Sequence, residues 1–175
     1  ESNFLNSIKI NDKFEDPIKN LYLFYLKKNQ YKDLLFYANK LIEIDKSNHQ
    51  YNFQLAYALE LNNDPNTAIK YYQNYLDIGG KDQKKALNNI GSIHLKKNKP
   101  KIALDYFLKA IKFGEDKIII NNTLNCYIKL RDENNSEIFF DKAKKIDENF
   151  EEFIFNKAEY LILKSEINDA IKILE

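Results

Sequence analysis

Between Lys84 and Lys117 the apolar and polar positions follow the period of two amphipathic helices with a short break between them. In KKALNNIGSIHLKKNKPKIALDYFLKAIKFGEDK, residues Leu87, Ile90, Gly91 and His94 fall at i, i+3, i+4 and i+7, one stripe of a helix. Asn98 and Pro100 mark the break, because Asn stops helices and Pro suits a first helical position. A second stripe runs through Ala103, Phe107, Ala110 and Ile111. Gly91, Ala103 and Ala110 are small residues on the faces expected to be buried, where they let two helix backbones come close.

The same double pattern recurs along the chain. Asp16-Pro17 reads as cap and first residue of a helix carrying Ile18, Leu21, Tyr22 and Tyr25. After a break at Asn29-Gln30 come Leu34, Leu35, Ala38, Leu41, Ile42 and Ile44. Ser47-Asn-His-Gln50 fits a capping box before Leu55, Ala56 and Leu59. Asp64-Pro65 restarts the pattern with Ala68, Ile69, Tyr72, Tyr75 and Leu76, and Gly79-Gly80 ends it. Beyond Lys117 the stripes are Ile120, Thr123, Leu124 and Tyr127, then Ser136, Phe139, Phe140 and Ala143. The last are Ile154, Ala158 and Leu161, then Ala170, Ile171 and Leu174. Aligned on their second helices, Leu34, Ala68, Ala103, Ser136 and Ala170 stand at intervals of 34, 35, 33 and 34 residues. The expectation is an all-α chain of antiparallel helix pairs, in units of about 15–48, 49–83, 84–116, 117–150 and a truncated 151–175. Residues 1–14 read as an N-terminal arm or the remnant of a preceding repeat helix.

A period near 34 with small and large residues mixed on the buried faces resembles the tetratricopeptide repeat. The unit from Lys84 matches best, and the resemblance covers roughly Glu15 to Glu175. It departs from the family where a Pro usually closes each repeat: Lys46, Gly80, Glu115 and Glu148 stand near there. The resemblance implies a right-handed superhelix (an α-solenoid) of stacked antiparallel helix pairs. It also implies that the first helix of each pair lines a concave groove, and that the array serves as a non-catalytic scaffold binding another protein.

The face opposite the core stripe of each first helix holds one recurring chemistry. Asn20, Gln54, Asn89, Asn122 and Asn156 occupy the same place in all five units, and each is a carboxamide. A carboxamide carries donors and an acceptor together, so a column of them can bond both polar groups of a peptide unit. The column resembles the asparagine ladder in the superhelices of O-linked N-acetylglucosamine transferase and kinesin light chains. A solvated or local structural role is the alternative reading. Asn88, Asn121 and Asn125 stand beside the column, Phe53, Tyr57 and Phe155 offer apolar contacts (packing against a neighbouring helix is the alternative for Phe53 and Tyr57), and Lys19, Lys27, Lys85, Lys96 and Lys129 would favour an acidic ligand. The family's two-carboxylate clamp is approached by Lys19, Gln54, Lys85 and Asn89. It is not completed, since Leu23 stands where Asn is needed and Asn89 where Arg is.

Composition narrows the alternatives. Lys+Arg 27 against Asp+Glu 26 leaves a net charge of +1, which argues against a chain-wide basic surface for nucleic acid. The single cysteine, Cys126, excludes an internal disulfide and favours a reducing, cytoplasmic compartment, with a bacterial periplasm or cell envelope left open. No run of 18 apolar residues exists, so no membrane insertion is expected. His49 and His94 are the two histidines, and His94 lies on a core stripe. Neither a Gly-rich phosphate loop, nor a metal-spaced His/Cys set, nor GxSxG is present, so no cofactor, metal or catalytic role is expected. Two other readings stay open. One is a self-associating assembly protein, or homo-oligomer, using Tyr71, Tyr72, Tyr75, Phe139 and Phe140. The other is a regulatory array attached to a further domain, since Glu1 is not Met and Glu175 falls within a helical pattern.

Overall fold

The computed structural model describes residues 15–174 as ten α-helices, with no strand among the described residues. In chain order they are α1 (Glu15–Lys27), α2 (Tyr31–Ile44), α3 (His49–Leu61), α4 (Pro65–Asp77), α5 (Gln83–Lys96), α6 (Pro100–Ile111), α7 (Lys117–Lys129), α8 (Glu133–Asp147), α9 (Glu151–Leu163) and α10 (Ile167–Leu174). The arm at 1–14 lies outside the described residues. Each odd-numbered helix packs against the even-numbered helix that follows it. The chain divides into two compact bodies, one ending at Lys81 and one starting at Asp82.

Short local signals start the helices. Asp64, Asp82, Asp116 and Asp132 each accept a backbone N–H of the first turn, from Thr67, Lys85, Ile119 and Asn135 at 3.0–3.2 Å. The expected capping box at Ser47 is not formed. Asn48 is the cap of α3, its Oδ1 accepting from Gln50 N and Tyr51 N, while the Ser47 hydroxyl donates to Asp45. Asn wins because its longer side chain reaches the same orphan amides from one residue closer. α1 likewise begins at Glu15, so Asp16 sits inside its first turn rather than before it.

The turns inside the pairs repeat as strictly as the helices. Asn29, Asn63, Asn98, Arg131 and Ser165 all adopt φ between +53° and +66°. The next residue in each case donates its N–H back five positions, as in Gln30 N to Tyr25 O at 3.0 Å and Lys99 N to His94 O at 2.9 Å. This is the αL helix stop that Asn tolerates well and Arg and Ser tolerate poorly.

The first body buries Ile18, Leu21, Leu34, Leu41, Leu55, Ala56 and Ala68 together with Tyr22, Tyr51, Tyr72 and Tyr75. Tyr25 and Tyr37 stack across the first pair, ring centroids 5.3 Å apart and 8° from parallel. Gly79 takes φ +79° after α4, and a Cβ on Gly80 would lie 2.3 Å from the Tyr75 ring, so the Gly-Gly pair is needed there. In the second body Gly91 of α5 faces Phe107 of α6, which is fully buried. A cluster of Ile120, Leu124, Tyr127, Phe139, Ala143, Phe153 and Tyr160 holds α7, α8 and α9 together.

Two core expectations need correction. In α9 the stripe is not Ile154, Ala158 and Leu161; Phe153, Asn156, Ala158 and Tyr160 are buried, and Ile154 is 38% exposed. The apolar residues of EEFIFNKAEYLIL are spread around the helix instead of forming one stripe, so its period is ambiguous. The rotation is set by Phe140, which contacts the Phe153 ring at 5.3 Å and stacks on Tyr160 at 4.4 Å. Tyr72, Tyr75 and Phe139, expected on an associating surface, are interior residues, because each ring packs inside its own helix pair.

Candidate functional site

In the second body the three first helices α5, α7 and α9 bring carboxamides together across helix boundaries. Asn122 Nδ2 on α7 donates to Asn88 Oδ1 on α5 at 3.1 Å. Asn156 Nδ2 on α9 donates to the Asn121 carbonyl at 3.0 Å and to Asn121 Oδ1 at 3.2 Å. Asn125 Nδ2 donates to Asn156 Oδ1 at 2.9 Å and to Glu159 Oε2 at 3.2 Å. Asn89 is half-buried on α5, whereas Lys85, Lys96 and Lys129 are exposed.

This geometry splits the uniform sequence column. Asn121 and Asn156 are 1% and 4% exposed, so their amides are committed to each other rather than open to solvent. The rotation of α9 explains this: with Phe153 and Tyr160 inward, Asn156 turns towards α7 and Phe155 outward, 57% exposed. Asn88, Asn89, Asn122 and Asn125 remain at intermediate exposure. They are joined on α9 by Phe155 and Ile162, both more than half exposed.

In the first body Asn20 is exposed and Gln54 half-buried. The Gln54 carbonyl accepts from Tyr22 OH at 3.3 Å, and its side-chain Oε1 is shielded without a hydrogen-bond partner. Lys19 pairs with Glu15 at 2.5 Å, the same carboxylate that accepts from Tyr51 OH. Tyr57 is half-buried and Lys27 exposed. Phe53 meets Tyr72 and Tyr75 edge-on at 5.3 and 5.2 Å, so of its two readings the structure shows the packing against the neighbouring helix, α4.

Two residues with reactive side chains are placed for packing. Burial pushes the Cys126 thiol up to about 12, and the residue has no exposed surface. At pH 7.5 native Cys126 should therefore react with a disulfide reagent ~10³-fold or more slowly than a free thiol, and fully once guanidinium unfolds the chain. A burst of labelling in native buffer would show α7 opening. His94 stacks on Tyr106 at 5.7 Å and 11°; desolvation, with Lys99 and Lys97 nearby, holds its imidazole below the ordinary value. Sequence reasoning missed Asn52, 2% exposed, whose Nδ2 bonds the Lys46 and Asn48 carbonyls at 2.9 Å and pins the start of α3. Its signal was an Asn four residues past the cap. Among the described residues no helix is long and apolar enough to cross a membrane, and no group of three or more His, Cys, Asp or Glu could hold a metal ion.

No curated protein sequence matches the chain. Known structures do. The YrrB protein, described as a tetratricopeptide repeat protein with an unusual peptide-binding site, superposes with a TM-score of 0.76 at 18% identity, over 98% of this chain and 88% of that one. PilW, a type IV pilus biogenesis factor, gives 0.81 at 13% identity, over 98% and 80%. MamA from Desulfovibrio magneticus RS-1 gives 0.81 at 16% identity, over 91% and 90%. At these identities the likeness concerns the fold alone. The tetratricopeptide repeat family model matches residues 84–113 and 121–150, the segments of α5–α6 and α7–α8. Residues 84–113 and 121–150 are thus tetratricopeptide repeats, and the helix pairs of the rest of the chain share the fold of tetratricopeptide repeat proteins.

Proposed function

We infer that this repeat scaffold holds an extended segment of another protein across the first helices α5, α7 and α9 of its second body. The observation that carries the reading is the run of half-buried carboxamides, Asn88, Asn89, Asn122 and Asn125, beside the exposed Phe155 and Ile162. Amides supply paired donors and acceptors for a peptide backbone. Apolar side chains beside them supply contact area that water leaves readily. That a superposable repeat protein carries a peptide-binding site supports the same use of the fold.

The test captures a partner with the immobilised chain and repeats the capture with Asn89→Ala plus Asn122→Ala. Binding should weaken at least tenfold while the far-ultraviolet helical signal stays unchanged, since each lost amide bond contributes about 1 kcal/mol. Equal affinity in the double variant would remove the groove assignment.

A further inference from the structure

The C-terminal ends of α7 and α9 flank an open pocket of about 440 Å³ within the second body. Ile128, Ile162 and Leu163 form its apolar wall, and Lys129, Arg131 and Glu159 its polar rim. The charges are not balanced inside the pocket. Glu159 already accepts from Asn125, whereas Lys129 and Arg131 are exposed and pair with no carboxylate among the described residues. The nearest acidic residue in sequence, Asp132, is occupied in capping α8, bonding Asn135 through both carboxylate oxygens at 3.1 and 2.8 Å.

Arg131 is the chain's one arginine, and it stands where local structure disfavours it. The equivalent turn residue is Asn29, Asn63 and Asn98 in the first three pairs, all left-handed at φ 53–66°. In the fourth pair Arg131 takes φ 55°, and in the fifth Ser165 takes φ 64°; both line this pocket. A residue that costs the turn on the order of 1 kcal/mol is retained where its side chain reaches a cavity wall. The volume is more than one large apolar side chain fills, so it has room for such a side chain together with its neighbour, with the guanidinium and the Lys129 ammonium at the rim.

We propose that this pocket receives a Leu, Ile or Phe side chain of the partner segment, whose adjacent Asp or Glu carboxylate pairs with Arg131 and Lys129. The proposal rests on the groove reading above and names the sequence that the groove selects. Arg131 supplies the planar pair of donors that matches a carboxylate, and Ile162 the exposed apolar contact.

The test pans the chain against random dodecapeptides displayed without a free C-terminus, and in parallel against a library with free C-termini. Enriched sequences from the first library should share an acidic residue next to Leu, Ile or Phe. For a synthetic peptide of that sequence, Arg131→Asn should weaken binding about tenfold or more. That variant should melt no lower than the parent, since Asn suits the left-handed turn. Ile162→Asp, on an exposed position, should abolish the apolar preference. Binders without the acidic–apolar pair, binders indifferent to both variants, or enrichment from the free-terminus library alone would overturn the pocket assignment. In those cases, loss of binding in Asn89→Ala plus Asn122→Ala would leave the groove reading standing. No enrichment from either library overturns both.

Discussion

Phe107→Ala should cost the second body about 3–5 kcal/mol, read as a fall in the midpoint of denaturant unfolding. The ring is fully buried and lies against Gly91, where an added Cβ would sit 2.6 Å from Cε1 and 2.9 Å from Cδ1. α5 and α6 therefore approach as closely as a glycine permits. Gly91→Ala sets two effects against each other: about 1 kcal/mol gained in helix propensity and about 1–3 kcal/mol lost to overpacking against a ring with nowhere to go. The loss should win in the parent chain. Shortening the ring in Phe107→Leu should remove it, so that Gly91→Ala becomes neutral or stabilising in that background. A double-mutant cycle should then show a favourable coupling of about 1 kcal/mol or more. Additive effects would mean that the close approach is absent.

Asn156→Ala should destabilise by about 2–4 kcal/mol, whereas Asn122→Ala should cost less than about 1 kcal/mol, although the two residues share one place in the repeat. Asn156 is buried and bonded on both ends of its amide. Removing it leaves Asn121 Oδ1 and one Asn125 bond without a partner inside the body. Asn122 is half-buried with one amide contact, to Asn88, and water can replace it. Binding should rank the pair in the opposite order once variants of equal folded fraction are compared. Equal stability losses would place both amides in one environment and remove the division between structural and binding members of the column.

Much of the helix-pair fold was legible in the sequence because its signals are local and repeated. The apolar stripe of α5–α6, the Asp64 cap and the breaks at Asn29 and Asn98 each act over a few residues. Registers of single helices were less legible. α9 has apolar residues spread around it, so its neighbours, chiefly Phe140, decide that Phe153 and Tyr160 turn inward. That rotation is what takes Asn156 out of the column the numbering suggests. Phe53 is a similar case: its spacing suits an open face, but two tyrosines of α4 offer a larger apolar contact. The pocket left a trace that was visible and unused. Arg131 breaks the series Asn29, Asn63, Asn98 at a position whose backbone demand only the structure reveals.

Amide hydrogen exchange of the chain, alone and with a saturating captured partner segment, tests the central claim most directly. Slowed exchange should concentrate on α5, α7 and α9, with side-chain amide signals of Asn89 and Asn122 shifting on addition of the segment. Protection confined to α6, α8 and α10, with α5, α7 and α9 unchanged, would contradict the account.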